Sequence, residues 1–249
     1  MTHRFFIPPD WLTPPLVSLR DETAYQIKAV LRLQAGDDII VLDNSGFEWG
    51  VRLTEVSRDV VRGRIVGQQP VQGEPGVQLT LYQGTLKAQK FEWVLQKGTE
   101  LGVSRFVPTL CQRSVVSRAE DLDHKQVRWQ RIIQEAAEQS GRGKLPVLEM
   151  ALPLPAAIEQ ASQAAAAGSL LLMPWEEAEG PPLKAVLAGV QAKSVALFIG
   201  PEGGFTAAEA AIAQAAGVQL VKLGPRILRA ETAGLAVCAT VLYELGEWT

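Results

Sequence analysis

The stretch VALFIGPEGGFTAAEAAIAQAAG, residues 195–217, limits the fold more than any other. Val195 to Ile199 is an unbroken apolar run, the mark of a parallel strand buried on both faces. Gly200, Gly203 and Gly204 lack a Cβ, so the backbone can turn sharply and approach a ligand closely. Thr206 and Glu209 fit a capping box at a helix start. Strand, bare loop and helix in that order put the loop at the carboxyl edge of an α/β sheet, where such sheets bind ligands. The Gly-Lys-Ser/Thr phosphate loop and the G-x-G-x-x-G fingerprint are both absent. Pro201 removes a backbone donor, and Glu202 would repel a pyrophosphate. A nucleoside-like or cationic ligand suits the loop better than a polyphosphate. Taken alone, the same residues also serve as a plain strand-to-helix turn.

A second apolar strand ends the same way, in LVKLGPRILRAETAGLA. Arg226 and Arg229 follow the Gly-Pro pair, with Glu231 and Thr232 near the next helix start. Two such loops can wall one pocket. In QKGTELGV, Lys97 and Glu100 share a helix face, as an ion pair or as part of a site. EAAEQSGRGKLP is a helix exit carrying Arg142, either a stop signal or a contact for phosphates. His3 and His124 match no catalytic or metal-binding pattern. No G-x-S-x-G, H-E-x-x-H or CxxC occurs, so hydrolase and metalloenzyme readings have no footing and no metal is expected.

The pattern extends over a chain of 249 residues, 47% of them apolar, which is enough for one large domain or two modest ones. Residues 1–72 read as β. Two strands flank a turn at Asp43–Gly46, DVVRGRIVG adds a third, and DETAYQIKAVLRLQAGD predicts a short helix ended by Gly36. QQPVQGEPGVQ is a linker, which places the boundary near 72. Residues 73–249 alternate strand and helix, the pattern of a parallel sheet covered on both faces. In DHKQVRWQRIIQEAAEQSGRG the spacing aligns Val127, Ile132 and Ala136, and PLPAAIEQASQAAAAG predicts a surface helix. Cys111 and Cys238 are read as small core residues, and the N-terminus carries no signal-peptide pattern. A soluble, cytoplasmic protein without membrane contact is expected. Net charge is -3, yet residues 87–144 hold eleven Lys/Arg against seven Asp/Glu. A local basic surface can bind phosphates on an acidic chain.

IGPEGGFT, LGPRILRAETA, QKGTELGV and EQSGRGKLP, in this order and spacing, resemble the bacterial small-subunit rRNA uridine-N3 methyltransferases of the SPOUT superfamily. YQIKAVLRLQAGDDIIVLDNSG is similar to that family's PUA-like RNA-binding barrel. The resemblance covers essentially the whole chain. It implies an α/β fold: a knotted SPOUT (trefoil-knot) domain over 73–249 and a small PUA-like β-barrel over 1–72. It implies S-adenosyl-L-methionine (SAM) as cofactor, held by three loops around Leu172, Met173 and Pro174, around Gly200, Pro201, Glu202, Gly203 and Gly204, and around Leu223, Gly224, Ile227 and Leu228. Leucine and isoleucine walls with bare backbone suit adenine, and a positive sulfonium needs no phosphate cradle. The implied reaction is methylation of N3 of a uridine in 16S rRNA. Arg229, Arg142 and Glu231 are the catalytic candidates, and Arg4, Arg32, Lys97, Arg113 and Arg142 the RNA contacts. A homodimer acting on the 30S particle is implied as well. Ala230 and Ala233 stand where relatives often carry Thr. Alternatives are a SPOUT enzyme acting on another RNA, such as tRNA, and a non-catalytic ribosome-assembly factor.

Overall fold

The computed structural model describes residues 2–116 and 118–248. The chain divides into two compact units, Met1–Glu74 with Gln134–Leu145, and Pro75–Ile133 with Pro146–Thr249.

The first unit is built on a mixed sheet of six strands: β1 (Arg4–Phe6), β2 (Leu12–Thr13), β3 (Leu16–Arg20), β4 (Asp38–Leu42), β5 (Phe47–Val56) and β6 (Val60–Pro70). Their order is β1-β4-β5-β6-β3-β2, and only the β1–β4 pair is parallel. Register shifts at Gly50/Val51 and Leu53/Glu55 interrupt the β5–β6 ladder, and such bulges bend a strand. Val17, Leu19, Ile39, Val41, Val51, Leu53 and Val61 pack one core against Ala24 and Ile27. In β5, Val51 and Leu53 point inward and Arg52 outward, as the period of two requires. The turn at Asp43–Gly46 forms as expected, with Asn44 and Gly46 at positive φ. The helix is shorter than expected. Helix α1 (Asp21–Tyr25) runs into one π turn, Gln26–Val30, and stops before Arg32, whose φ is +59°. The Leu33 N–H closes that end on the Ile27 carbonyl at 3.0 Å. Gly36 instead forms the turn into β4, its N–H donating to Leu53 O at 2.8 Å.

Residues 134–145 lie mid-chain yet belong with this unit. Ala137 packs with Phe6 and Leu42. Glu138 Oε1 accepts the Phe6 N–H at 2.9 Å, and burial pushes the Glu138 carboxyl above the ordinary range.

The second unit holds an all-parallel sheet of β7 (Gln78–Gly84), β8 (Arg105–Leu110), β9 (Val147–Leu148), β10 (Leu152–Pro153), β11 (Leu170–Pro174), β12 (Ser194–Ile199) and β13 (Gln219–Val221). The order is β10-β8-β7-β12-β11-β13, with β9 also on β8. Successive strand residues face opposite sides. Val195, Leu197 and Ile199 enter one core while Phe198 enters the other, and Leu172 and Met173 divide likewise. The first face is covered by α2 (Ala88–Leu101), the start of α3 (Gln126–Ser140), α5 (Leu183–Leu187) and α7 (Ala230–Glu244). The second is covered by α4 (Leu154–Ala164) and α6 (Ala207–Ala215). This two-sided burial is why the strands read as continuous apolar runs.

Two helix readings change. The inward stripe of α3 runs through Trp129, Ile133, Ala136 and Ala137, whereas Val127 is 79% exposed. Trp129 sets the phase by packing on Phe91, ring centroids 4.5 Å apart. In the Ala-rich helix α4, Leu154, Ala157, Ile158 and Ala161 are buried, so one face is core. Cys111 and Cys238 are buried free thiols, as read from the sequence. Burial pushes each thiol up to about 12.

Candidate active site

β7 and β12 lie side by side at the middle of the sheet although far apart in sequence, and the chain departs from them toward opposite edges. Such a switch point leaves a crevice beyond the carboxyl ends of the strands. A cleft of about 860 Å³ opens beyond the carboxyl ends of β11, β12 and β13 on the β12 side of that point, lined by Lys90, residues 174–176, residues 199–205 and residues 222–231 with Ala233. The two Gly-Pro loops thus share one cavity.

The glycine-rich loop is held from outside. At its exit the Thr206–Glu209 capping box is complete. Glu209 N donates to Thr206 Oγ1 at 3.2 Å, and Thr206 N to Glu209 Oε2 at 2.8 Å. The second oxygen of Glu209 accepts Gln112 N at 2.7 Å. Arg113 Nη1 donates to Gly203 O at 2.9 Å and Trp175 Nε1 to Phe205 O at 3.3 Å. A Cβ on Gly204, whose φ is +68°, would lie 2.6 Å from Glu176 Oε1, and one on Gly203 would lie 2.8 Å from Arg113 Cβ. Glycine at these positions keeps the loop thin and close to its neighbours.

The opposite wall follows β13. Its start is tied down by Leu183 N to Lys222 O at 2.9 Å and Lys222 N to Pro181 O at 3.1 Å. Among the described residues, no backbone N–H from 223 to 229 has a protein partner. Arg229 caps α7 with extended backbone and is exposed, and among the described residues no carboxylate pairs with it. Ile227 is 88% exposed. Glu176, Glu202 and Glu231 supply negative charge to the cleft and Lys90 stands among them, 3.6 Å from Glu202 and 3.4 Å from Glu231. Such a cavity can take a planar, hydrogen-bonding group against apolar side chains and a cation against carboxylates.

The sequence-selected residues therefore divide. Pro174, Gly200–Gly204, Leu223, Gly224, Ile227, Leu228, Arg229 and Glu231 meet in the cleft. Leu172 and Met173 are fully buried, one on each face of the sheet, and their side chains do not line it. Arg113 braces the glycine loop. Lys97 pairs with Glu100 at 2.7 Å on α2. Arg142 belongs to the first unit, is 3% exposed and bonds Glu74 at 3.0 Å. Arg4, also in the first unit, pairs with Glu48 at 2.6 Å. Arg32 is exposed there beside Lys28 and Gln34, around a hollow of about 470 Å³. Lys90, Trp175, Glu176 and Phe205 were missed. Trp175 and Glu176 directly follow an apolar strand, so the strand-end rule that selected the other loops reaches them too. Among the described residues no cluster of His, Cys, Asp and Glu could hold a metal ion.

Comparison with known proteins adds the following. A family described as an RNA methyltransferase domain matches residues 73–242, and an RNA methyltransferase PUA domain matches residues 27–66. The ribosomal RNA small subunit methyltransferase E of Synechocystis sp. is 33% identical over 97% of this chain and 77% of its own length. The Bacillus subtilis protein of the same name is 33% identical over 92% of this chain and 91% of its own. A crystal structure of the Neisseria gonorrhoeae ribosomal RNA small subunit methyltransferase E, bound to S-adenosyl methionine, superposes with a TM-score of 0.88. It is 29% identical, and the match covers 100% of both chains.

Proposed function

The chain belongs to the RNA methyltransferase family, and from that premise we propose that it methylates N3 of one uridine in 16S rRNA, with SAM as donor. It is a SAM-dependent ribosomal RNA methyltransferase, with a knotted SPOUT domain and a PUA-like domain. The observation that carries the reading is the bare-walled cleft beyond the carboxyl ends of β11, β12 and β13, with its unpartnered backbone donors among the described residues and its carboxylates.

The residues present fit the cofactor. Unpartnered N–H groups of 223–228 and the side chains of Leu223, Ile227 and Leu228 suit the adenine. Gly200–Gly204 let it approach the backbone, and Glu176, Glu202 and Glu231 favour a positive sulfonium. When bound, the cofactor supplies an electrophilic methyl group. The chain's residues must then align uracil N3 and stabilise the imide anion left when its proton departs. Arg229, cationic and unpaired at the cleft, is assigned to that anion. Glu231 is assigned as proton acceptor. The target base must be unpaired or extruded to present N3.

Arg142 is better read as holding its own loop than as meeting a base, since its guanidinium is buried against Glu74. Arg32 and Lys28, exposed and with no carboxylate partner among the described residues, are assigned to RNA phosphates. We further read the protein as a cytoplasmic homodimer acting on the assembled 30S particle. The outer face of α7 supports the dimer: it carries Ala236 and Tyr243, the latter 65% exposed. Among the described residues no helix is long and apolar enough to cross a membrane.

Methylation of purified 30S subunits and, in a parallel reaction, of total tRNA with isotope-labelled SAM, followed by mass mapping, tests the reading. A single N3-methyluridine in 16S rRNA is expected. Label in tRNA alone points to another RNA, and no label with intact SAM binding points to a binding factor.

A further inference from the structure

Lys90 joins three separate elements at one point. It comes from the first turn of α2, while Glu202 comes from the glycine-rich loop and Glu231 from the first turn of α7. Its Nζ lies 3.6 Å from Glu202 Oε1 and 3.4 Å from Glu231 Oε1. The other oxygen of Glu231, Oε2, is buried and, among the described residues, has no hydrogen-bond partner. A buried polar atom left without a partner calls for a reason, and here the atom belongs to a residue lining the cleft. As placed, Oε2 is closed to solvent, so a ligand donor satisfies it only once the carboxylate turns toward the cleft, and the N3–H of an entering uracil is such a donor.

Burial and a neighbouring like charge disfavour an ionised carboxylate in general, and a cation within reach of both carboxylates favours it. Lys90 is placed as that cation between Glu202 and Glu231. The remaining charged groups of the cleft are Glu176 from the loop after β11, Lys222, Arg226 and Arg229 from the loop before α7. Among the described residues none of the cations Lys222, Arg226 and Arg229 is within ion-pair distance of Glu231; Lys90 is.

We propose that Lys90 is a positioning residue for methyl transfer, keeping Glu231 ionised and turned so that Oε2 receives the proton of uracil N3. The inference rests on the methyltransferase reading above. In the balanced step N3 loses its proton to Glu231 and gains the methyl group, and the electron pair of the broken carbon–sulfur bond stays with sulfur. Glu231 then releases the proton to water. Lys90 touches neither base nor cofactor in this scheme.

The test is the pH–rate profile of methyl transfer to 30S subunits for the wild type, Lys90→Met, Lys90→Arg and Glu231→Gln, with SAM affinity measured alongside. An opposite charge nearby shifts a carboxyl by about one unit or more. Lys90→Met should therefore move the acidic limb about one pH unit upward, slowing transfer up to about tenfold at pH values below the limb and little on the plateau. Lys90→Arg should return the limb to its place. Glu231→Gln, neutral and isosteric, should abolish the limb. A packing role for Lys90 alone would lower the rate at every pH and leave the limb where it was. An unmoved limb in Lys90→Met, no rescue by arginine, or a wild-type profile in Glu231→Gln overturns the inference while leaving the enzyme reading intact. A wild type that neither binds SAM nor transfers label overturns both.

Discussion

The loop at 140–145 and the loop at 222–229 are built from similar letters. SGRGKL and KLGPRILR each set glycine and basic residues beside a helix end. In the first, the donors are satisfied within the protein. Glu74 accepts from the Arg142 guanidinium at 3.0 Å, from Gly143 N at 2.8 Å and from Lys144 N at 3.0 Å, and Asn44 accepts Leu145 N at 2.7 Å. In the second, the N–H groups from 223 to 229 have no protein partner among the described residues, and Arg229 has no counter-ion. Unmet donors lining a cleft are open to a ligand or to water, whereas donors met within the protein hold architecture. Glycine and arginine content alone does not separate the two.

That contrast can be broken or sharpened by substitution. The largest effect is expected at Arg229. Arg229→Ala should slow methyl transfer by about 10²–10³-fold, the usual consequence of losing one anion-stabilising donor, with SAM affinity nearly unchanged. Single-turnover assays with labelled SAM check this, and a near-normal rate would remove the assigned role. Arg142→Ala should act on stability instead. Removing one partner of a buried ion pair costs about 3–5 kcal/mol, which denaturant unfolding would read as a lower midpoint. A slow but fully stable Arg142→Ala enzyme would return that arginine to the chemistry. Thr206→Ala removes the hydroxyl of the capping box and should cost about 1 kcal/mol in the same unfolding assay. Smallest of all, neither thiol should react with an alkylating reagent near pH 8 in the folded chain. Burial raises both to about 12, so the thiolate is scarce well below that value and both groups are enclosed. Rapid labelling seen by mass spectrometry would show that the core opens.

Local features of the second unit were readable from its letters. Continuous apolar runs mean two-sided burial, and Thr206 with Glu209 is a cap whose geometry depends on four consecutive residues. The shared cleft could also be inferred, because two strand-end loops on one parallel sheet open on the same edge. Features that depend on distant partners were not readable. Residues 134–145 join the first unit because Ala137 meets Phe6 and Glu138 meets the Phe6 N–H, and nothing near Glu138 announces that contact. The phase of α3 follows from Trp129 packing on Phe91, which overrode the stripe suggested by Val127. Leu172 and Met173 lie beside the right loop, but strand alternation turns their side chains into the two cores. Lys90 was invisible because its significance lies in two carboxylates more than a hundred residues away.

The central claim is that the cleft walled by residues 200–205 and 223–229 receives SAM. Calorimetric titration of SAM into the wild-type chain and into Gly203→Val tests it directly. A Cβ at position 203 already presses on Arg113, so the valine must displace the loop. The account predicts saturable binding at one site per chain for the wild type and binding reduced at least tenfold, about 1.4 kcal/mol, for a variant that still melts cooperatively. Equal affinity in the two proteins, or no heat of binding from the wild type, would contradict it.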